Sequence, residues 1–166
     1  TIEKYLGYLE ESFILFSLSR FSYKVKEQLS SNKKIYCIDN GFIQAKSFKA
    51  SPDFGRLYEN AVALELKRRE LNNDIKIYYW KNQQQEEVDF IVKEGLKVKQ
   101  LIQVCFDIEK LDTKNREVRA LIKAGKELKC NNLLIITEDT EKEEKVEWFG
   151  DKATIKFIPL WKWLLE

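Results

Sequence analysis

The chain of 166 residues contains no histidine and no methionine, and it has only two prolines and three cysteines. The absence of histidine excludes a Ser-His or Cys-His nucleophile pair. The cysteines, Cys37, Cys105 and Cys130, lie far apart within apolar runs and form no CxxC spacing, so we do not expect a zinc site. An odd number of thiols placed in this way indicates reduced cysteines and predicts a cytoplasmic protein.

Long hydrophobic runs are also absent. No run approaches the roughly 20 apolar residues of a membrane-spanning helix, and no signal peptide is visible, so we expect no membrane partner. A hydrophobic fraction of 44% indicates a globular domain. The net charge of +2 neither requires nor excludes a nucleic-acid partner. Because the chain starts at Thr1 without a methionine, we expect a fragment of a longer protein that extends towards the N-terminus.

The first third of the chain predicts a helix and a hairpin. Apolar residues recur at helical spacing in "TIEKYLGYLEESF". Two strand-like segments, "FILFSLSRF" and "KKIYCIDNGF", follow and are separated by the polar, basic connection "SYKVKEQLSSNKK". This order resembles the end of a winged-helix module, and a plain helix and hairpin packed on the next domain is the alternative. Turn residues around Pro52 mark a boundary, so we predict domains at 1–48 and 49–166.

The second part predicts an α/β domain. An amphipathic helix in "DFGRLYENAVALELKRRELNND" precedes three strands, a second helix and a fourth strand, "NNLLIITED". One or two short edge strands in "EKVEWFGDKATIKFIPL" and a short helix in "PLWKWLLE" complete the chain. This order predicts a mixed central sheet flanked by helices on both faces. No GxxxxGK[ST] sequence is present, so any ATP site lies outside this chain.

Two polar residues interrupt the predicted strands. Asp89 lies in "EEVDFIV", and an ionised carboxylate at the edge of a core costs several kcal/mol unless a partner compensates it. Mg²⁺ is one such partner, since it takes one or two carboxylates and keeps several waters. A lysine, or a place on an edge strand, would also satisfy Asp89. Gln103, in the next strand, would contact such a metal, hydrogen-bond the Asp89 carboxylate, or be satisfied structurally.

Several stretches together resemble the PD-(D/E)XK, or restriction-endonuclease-like, superfamily. The closer resemblance is to the C-terminal domain of unknown function of bacterial and archaeal AAA+ ATPases. It rests on "GRLYENAVALEL", "IYYWKNQQQEEVDFIV", "LIQVCFDI" and "IPLWKWLL" in this order, with "TIEKYLGYLEESFILF" and "KKIYCIDNGF" upstream. The resemblance implies a restriction-endonuclease-like sheet in which Glu59 is the helical glutamate and Asp89 the metal-binding aspartate. Gln103 stands where the motif has an acid, and Cys105 where it has lysine.

The two departures matter for chemistry. In active enzymes of this type, acids hold a metal ion that activates water, and the lysine positions that water and offsets developing charge. Cys105 cannot supply a positive charge at neutral pH, and Gln103 removes one negative charge from the candidate metal ligands Glu59, Asp89 and Gln103. We therefore expect Mg²⁺ binding and hydrolysis to be weak or absent. Lys99, Lys123 and Lys126 are the candidates for a displaced lysine.

Two further choices remain open. The helical wheel places Glu65, rather than Glu59, near the centre of the apolar stripe of its helix. The basic residues Lys67, Arg68 and Arg69 of the same helix are candidates for contacts with DNA phosphates, and a solvated helix end is the simpler interpretation.

The resemblance implies a degenerate nuclease-like module that binds DNA or a partner. Its partners would include the AAA+ ATPase domain of the same chain, which would hold ATP and mediate any oligomer. The alternatives are an active Mg²⁺-dependent endonuclease with a displaced lysine, and a purely structural or protein-interaction domain.

Overall fold

The computed structural model of the chain describes residues 1–46 and 53–166. The first range contains α1 (Ile2–Glu11), β1 (Leu15–Leu18), α2 (Val25–Ser30), β2 (Lys34–Cys37) and α3 (Asn40–Lys46). The second range contains α4 (Phe54–Asn72), β3 (Ile75–Lys81), β4 (Glu87–Glu94), β5 (Lys97–Val104), α5 (Leu111–Leu128), β6 (Leu133–Thr137), β7 (Lys142–Trp148), β8 (Asp151–Pro159) and α6 (Leu160–Trp163). The predicted domain boundary at residue 48 lies outside the described residues.

The second range forms one mixed sheet with the strand order β3-β4-β5-β6-β8-β7. Strands β3, β4 and β5 are antiparallel neighbours, while β6 runs parallel to both β5 and β8. The sequence of β6 is apolar up to Thr137 at its end, and every one of its residues is buried, as expected for a parallel strand covered on both faces. The prediction of a mixed α/β sheet flanked by helices is confirmed.

One long helix covers each face of this sheet. Helix α4 begins after Asp53, whose side chain accepts a hydrogen bond from the Arg56 backbone N–H. Its residue Leu66 packs with Phe90 on one face of the sheet, and Leu121 of α5 packs with Leu101 on the other. The two faces therefore have separate cores, and the ends of β4 and β5 lie between the two helices.

The first range attaches to the edge of the sheet. Arg20 forms a parallel bridge with Tyr79 of β3, where the Phe21 N–H donates to the Tyr79 carbonyl at 2.7 Å and the Tyr79 N–H donates to the Ser19 carbonyl at 3.1 Å. Phe21 itself is buried in the core on the α5 face. Strands β1 and β2 form a separate antiparallel pair, which this bridge fixes beside β3.

Two local predictions were wrong, and one helix was not predicted. The connection between β1 and β2 contains helix α2, and "IDNGF" begins α3 instead of extending β2. The reason for the second difference is the Asp39 carboxylate, which accepts a hydrogen bond from the Gly41 N–H and so favours the start of a helix. Strand β8 lies between β6 and β7, not at an edge, and in this position its Ile155 and Phe157 are fully buried.

No helix within residues 1–46 or 53–166 is long and apolar enough to cross a membrane.

The fold predicts a large difference between two leucines of the β4–β5 region. Leu101 is 0% exposed and Leu96, in the turn before β5, is 93% exposed. We expect Leu101→Ala to lower the free energy of unfolding by about 2–5 kcal/mol, because it leaves a cavity between β5 and α5. The matched control Leu96→Ala should change it by less than about 0.5 kcal/mol. Urea unfolding measures both, and equal effects would contradict this packing.

Candidate functional site

The site is organised around the side chain of Lys34, at the start of β2. Its Nζ atom lies 3.0 Å from Glu59 Oε1, 2.7 Å from Glu87 Oε1 and 2.8 Å from Asp89 Oδ1. Only 19% of the Lys34 side chain is exposed. Alternation along β2 directs Lys34 and Tyr36 to the same side, towards α4 and β4.

The carboxylates of α4 and β4 therefore converge on one pocket. Glu59 comes from α4, and Glu87 and Asp89 come from the beginning of β4. The Tyr36 hydroxyl donates to Glu59 Oε1 at 2.7 Å and fixes that carboxylate beside the ammonium. The structure thus brings together the two acids that the resemblance singled out, Glu59 and Asp89; their role as metal ligands stays a prediction.

Burial and the nearby opposite charges shift the pKa values of Lys34 and Asp89 in opposite directions. Burial disfavours the charged ammonium of Lys34, but the carboxylates of Asp89 and Glu59 outweigh this effect and raise its pKa above the usual range of lysine. Burial also raises the pKa of Asp89, a shift that Lys34 opposes and Glu59 reinforces. Lys34 therefore carries its positive charge at neutral pH.

Asp89 and Gln103 replace hydrogen bonds of the β4–β5 ladder with side-chain contacts. The Asp89 N–H donates to Gln103 Oε1 at 3.0 Å, and the Val104 N–H donates to Asp89 Oδ2 at 3.0 Å. The amide nitrogen of Gln103 donates to Glu117 Oε2 of α5 at 2.6 Å. Gln103 is thus a satisfied residue that links β4, β5 and α5. It contacts the backbone of Asp89 and not its carboxylate.

Cys105 does not compensate for the missing lysine. Its thiol is buried and lies 3.5 Å from the Asp107 carbonyl oxygen. Burial, together with Glu117 and Asp107, raises the pKa of Cys105 to about 11, so the thiol is neutral at physiological pH.

Two descriptions of domains of unknown function match this chain. The family described as "Domain of unknown function (DUF4143)" matches residues 54–163. The chain belongs to this family. Members of the DUF4143 family are often found with AAA ATPases. A second description, "Domain of unknown function (DUF8612)", matches residues 1–52, the part of the chain that supplies Lys34.

Two relatives are similar to this DUF4143 chain. An uncharacterized protein of Methanocaldococcus jannaschii, MJ1544, is 39% identical over 99% of the chain. An uncharacterized protein of Haemophilus influenzae is 30% identical over 65% of the chain. The matched segments cover 36% and 26% of those two proteins, so the chain spans about a third of the first relative and a quarter of the second.

The lysines that the sequence offered as a displaced catalytic lysine each form an ion pair with an acid other than Glu59 and Asp89. Lys99 pairs with Glu94, Lys123 with Glu86, and Lys126 with Asp151. Sequence reasoning missed Lys34, although the spacing Lys34-x-Tyr36 in "KKIYC" places two polar side chains on one face of a strand. The distance of about 55 residues along the chain between Lys34 and Asp89 concealed their contact.

The basic end of α4 is held by ion pairs. Arg68 and Arg69 both contact Glu65 Oε1 at 2.7 Å, and Lys67 contacts Glu70 at the same distance. Glu65, the alternative that the helical wheel offered, therefore belongs to this cluster and not to the Lys34 pocket. The predicted phosphate contacts of Lys67, Arg68 and Arg69 would compete with these pairs.

With Lys34 in place, the donor set of the pocket does not fit a divalent metal ion. Oxygens that a metal would take already accept hydrogen bonds or ion pairs from Lys34, Tyr36 and the Val104 N–H, and Gln103 Oε1 is bonded to the Asp89 backbone. In the part of the chain that the structure describes, no group of three or more His, Cys, Asp or Glu side chains is placed to hold a metal ion. An ammonium occupies the position that a cation would need.

The Gln103–Glu117 contact predicts that a Gln103→Glu variant has a stability that depends on pH. Gln103→Glu replaces the amide donor to Glu117 with a second carboxylate, and the repulsion between the two raises the folded-state pKa of the pair. The variant should be destabilised by about 1–3 kcal/mol at neutral pH, because a buried donor is lost. A raised folded-state pKa contributes stability only at low pH. The difference in the free energy of unfolding between the Gln103→Glu variant and wild type should therefore shrink as pH falls towards about 5.

Urea unfolding of both proteins at several pH values measures this difference. Gln100→Glu is the matched control, since Gln100 lies on the same strand and contacts Asn132 at the surface. It should show little effect at any pH. A Gln103→Glu variant as stable as this control at neutral pH would contradict the contact with Glu117.

Proposed function

We propose that this chain is a degenerate nuclease-like module that serves binding rather than hydrolysis in an AAA+ ATPase. The proposal combines the restriction-endonuclease-like resemblance of the sequence with the chemistry of the pocket. A hydrolytic site of that type needs a metal-bound water and a cationic group beside it. Here the acids of the pocket are engaged by Lys34, and the motif position of the lysine carries the neutral thiol of Cys105.

The Lys34 ammonium is the observation that carries this proposal. It lies within 3.0 Å of Glu59 and 2.8 Å of Asp89, the two acids that match the nuclease motif. Mg²⁺ binding at these acids would require the ammonium to leave a pocket in which it is largely buried. Removing the ammonium without a replacement would typically cost about 3–5 kcal/mol. An ion from solution must therefore supply at least this compensation to displace the intramolecular cation.

The surface of the first range favours a protein as the partner. Helices α1 and α2 have no buried residue. Their apolar side chains and those nearby remain exposed: Ile2, Tyr5, Tyr8, Phe13, Tyr23, Val25 and Leu29 are all more than 60% accessible. An exposed apolar surface of this kind is typical of an interaction site. Segments of a longer protein are candidates to cover it, among them the AAA+ domain that the sequence resemblance implies.

DNA is the less favoured partner. The three basic residues at the end of α4 are paired with Glu65 and Glu70, and the chain has a net charge of only +2. Non-specific DNA binding depends on cations that are free to replace counterions at phosphates.

We expect no metal-dependent nicking of supercoiled plasmid DNA by the purified chain in Mg²⁺ or Mn²⁺. The physical reason is that neither a bound metal ion nor a cation at position 105 is available to activate water. Asp89→Asn is the control, because a contaminating nuclease would be equally active in both preparations. Nicking by wild type that this variant loses would contradict the proposal.

Binding to duplex DNA should be no tighter than the non-specific range of about 10⁻⁴–10⁻⁶ M, measured by fluorescence anisotropy at physiological salt. A much tighter affinity that falls steeply as salt rises would instead identify DNA as the partner. Neutralising Arg68 together with Lys67 would then weaken it.

An active endonuclease is the second candidate, and one specific contact favours it. The Lys34 amine lies 2.8 Å from Asp89 and would be a displaced lysine if a metal ion shared the pocket. The nicking assay separates the two candidates: an active enzyme should lose nicking in Lys34→Met, whereas our proposal expects none in either protein.

A further inference from the structure

The cation in the acidic pocket comes from a different part of the chain than the acids. Glu59 lies on α4, and Glu87 and Asp89 lie on β4, within the range that matches the DUF4143 family. Lys34 lies on β2, within residues 1–52, which match the second family. We propose that Lys34 is a tethered counter-ion that closes this pocket to divalent metal ions and thereby couples the position of β2 to the state of the pocket.

The Lys34 ammonium matches the pocket in the number of its donors and in their distances to the carboxylates. A lysine ammonium has three N–H donors and no acceptor. Lys34 Nζ lies within 3.0 Å of one oxygen from each of three carboxylates, those of Glu59, Glu87 and Asp89. The other oxygen of Glu87 lies 3.3 Å from Lys81 Nζ. The acids most suited to a metal ion are thus already matched to cations of the protein.

Further contacts hold β2 in this place. The Tyr36 hydroxyl donates to Glu59, and the buried Asn60 side chain of α4 bonds both backbone groups of Cys37, at 2.9 Å to its N–H and 2.8 Å to its carbonyl. Lys34 is therefore presented to the acids by a strand that is itself bonded to α4. An intramolecular group held in this way competes at a high effective concentration with any ion in solution.

Metal binding and the docking of β2 should consequently exclude each other. If an ion and the Lys34 ammonium cannot occupy the same oxygens, then withdrawal of β2 favours the ion, and the ion favours withdrawal of β2. This coupling goes beyond the proposed function, because it concerns the state of the pocket whichever partner the chain has.

Mn²⁺ binding tests the proposal without DNA, so its outcome is separate from the nicking assay. The free-ion signal in electron paramagnetic resonance gives the bound fraction for wild type, Lys34→Met and Lys33→Met. Lys33 is exposed and adjacent in sequence, which makes it a matched control. We expect Lys34→Met to bind Mn²⁺ at least about tenfold more tightly than wild type, because a positive charge beside the acids is removed. Lys33→Met should behave like wild type.

Two further measurements test whether the gain in Mn²⁺ affinity arises at this pocket. The double variant Lys34→Met/Asp89→Asn should lose the gained affinity, and Mn²⁺ should raise the melting temperature of Lys34→Met but not of wild type, since a ligand of the folded state stabilises it. The proposal is overturned if wild type binds Mn²⁺ as tightly as a folded Lys34→Met, or if the gain survives in the double variant.

A measurement on wild type decides the matter should Lys34→Met fail to fold. Reductive methylation followed by peptide mass spectrometry reports the accessibility of each amine. Lys34 should be modified at least about tenfold more slowly than Lys33, because its amine is enclosed by carboxylates and largely buried. Equal rates for the two neighbouring lysines would show that the amine does not remain in the pocket, and the proposal would fail.

Discussion

The contact of the Lys34 ammonium with Glu59, Glu87 and Asp89 is the interaction on which the site depends. Asp89 is buried at the splayed ends of β4 and β5, where its carboxylate also receives the Val104 N–H. A carboxylate in such a place is tolerated only with a charged or hydrogen-bonded partner. Because that partner comes from β2, the same contact that satisfies the pocket also joins the first range of the chain to the sheet.

Other buried acids around the pocket follow the same rule. Glu86 is held by Arg119 at 2.6 Å and Lys123 at 2.7 Å, two residues one turn apart on α5. Burial opposes its charge, but the hydrogen bonds from Lys123 and Asn82 lower the pKa of Glu86 below its usual range. On the side of the pocket that α5 forms, the acid is therefore already paired with basic residues of the protein. This pairing favours a rigid surface over a site where a ligand exchanges.

Much of the architecture was predictable because its signals are local. The apolar run of β6 and the amphipathic pattern of α5 each depend on residues close together in sequence. The errors at Asp39 and β8 have a different origin. A single side-chain cap converted a strand-like segment into α3, and the packing of Ile155 and Phe157 against α5 was decided by the order of strands in the sheet.

The site was predictable only in part. Sequence resemblance singled out Glu59 and Asp89, and the structure brings both to one pocket. The distant Lys34, from a segment with its own family description, had no local signal beyond its alternation with Tyr36. For Gln103 the sequence left three alternatives: a metal contact, a hydrogen bond to the Asp89 carboxylate, or a structurally satisfied residue. Its amide bonds the Asp89 backbone and Glu117, which agrees with the third alternative.

A crystal of the wild-type chain soaked in Mn²⁺ and measured at the manganese absorption edge tests the central claim most directly. The account predicts the Lys34 amine among the three carboxylates and no anomalous peak between Glu59 and Asp89. A well-occupied manganese ion at that position, with the Lys34 amine displaced from the acids, would contradict it.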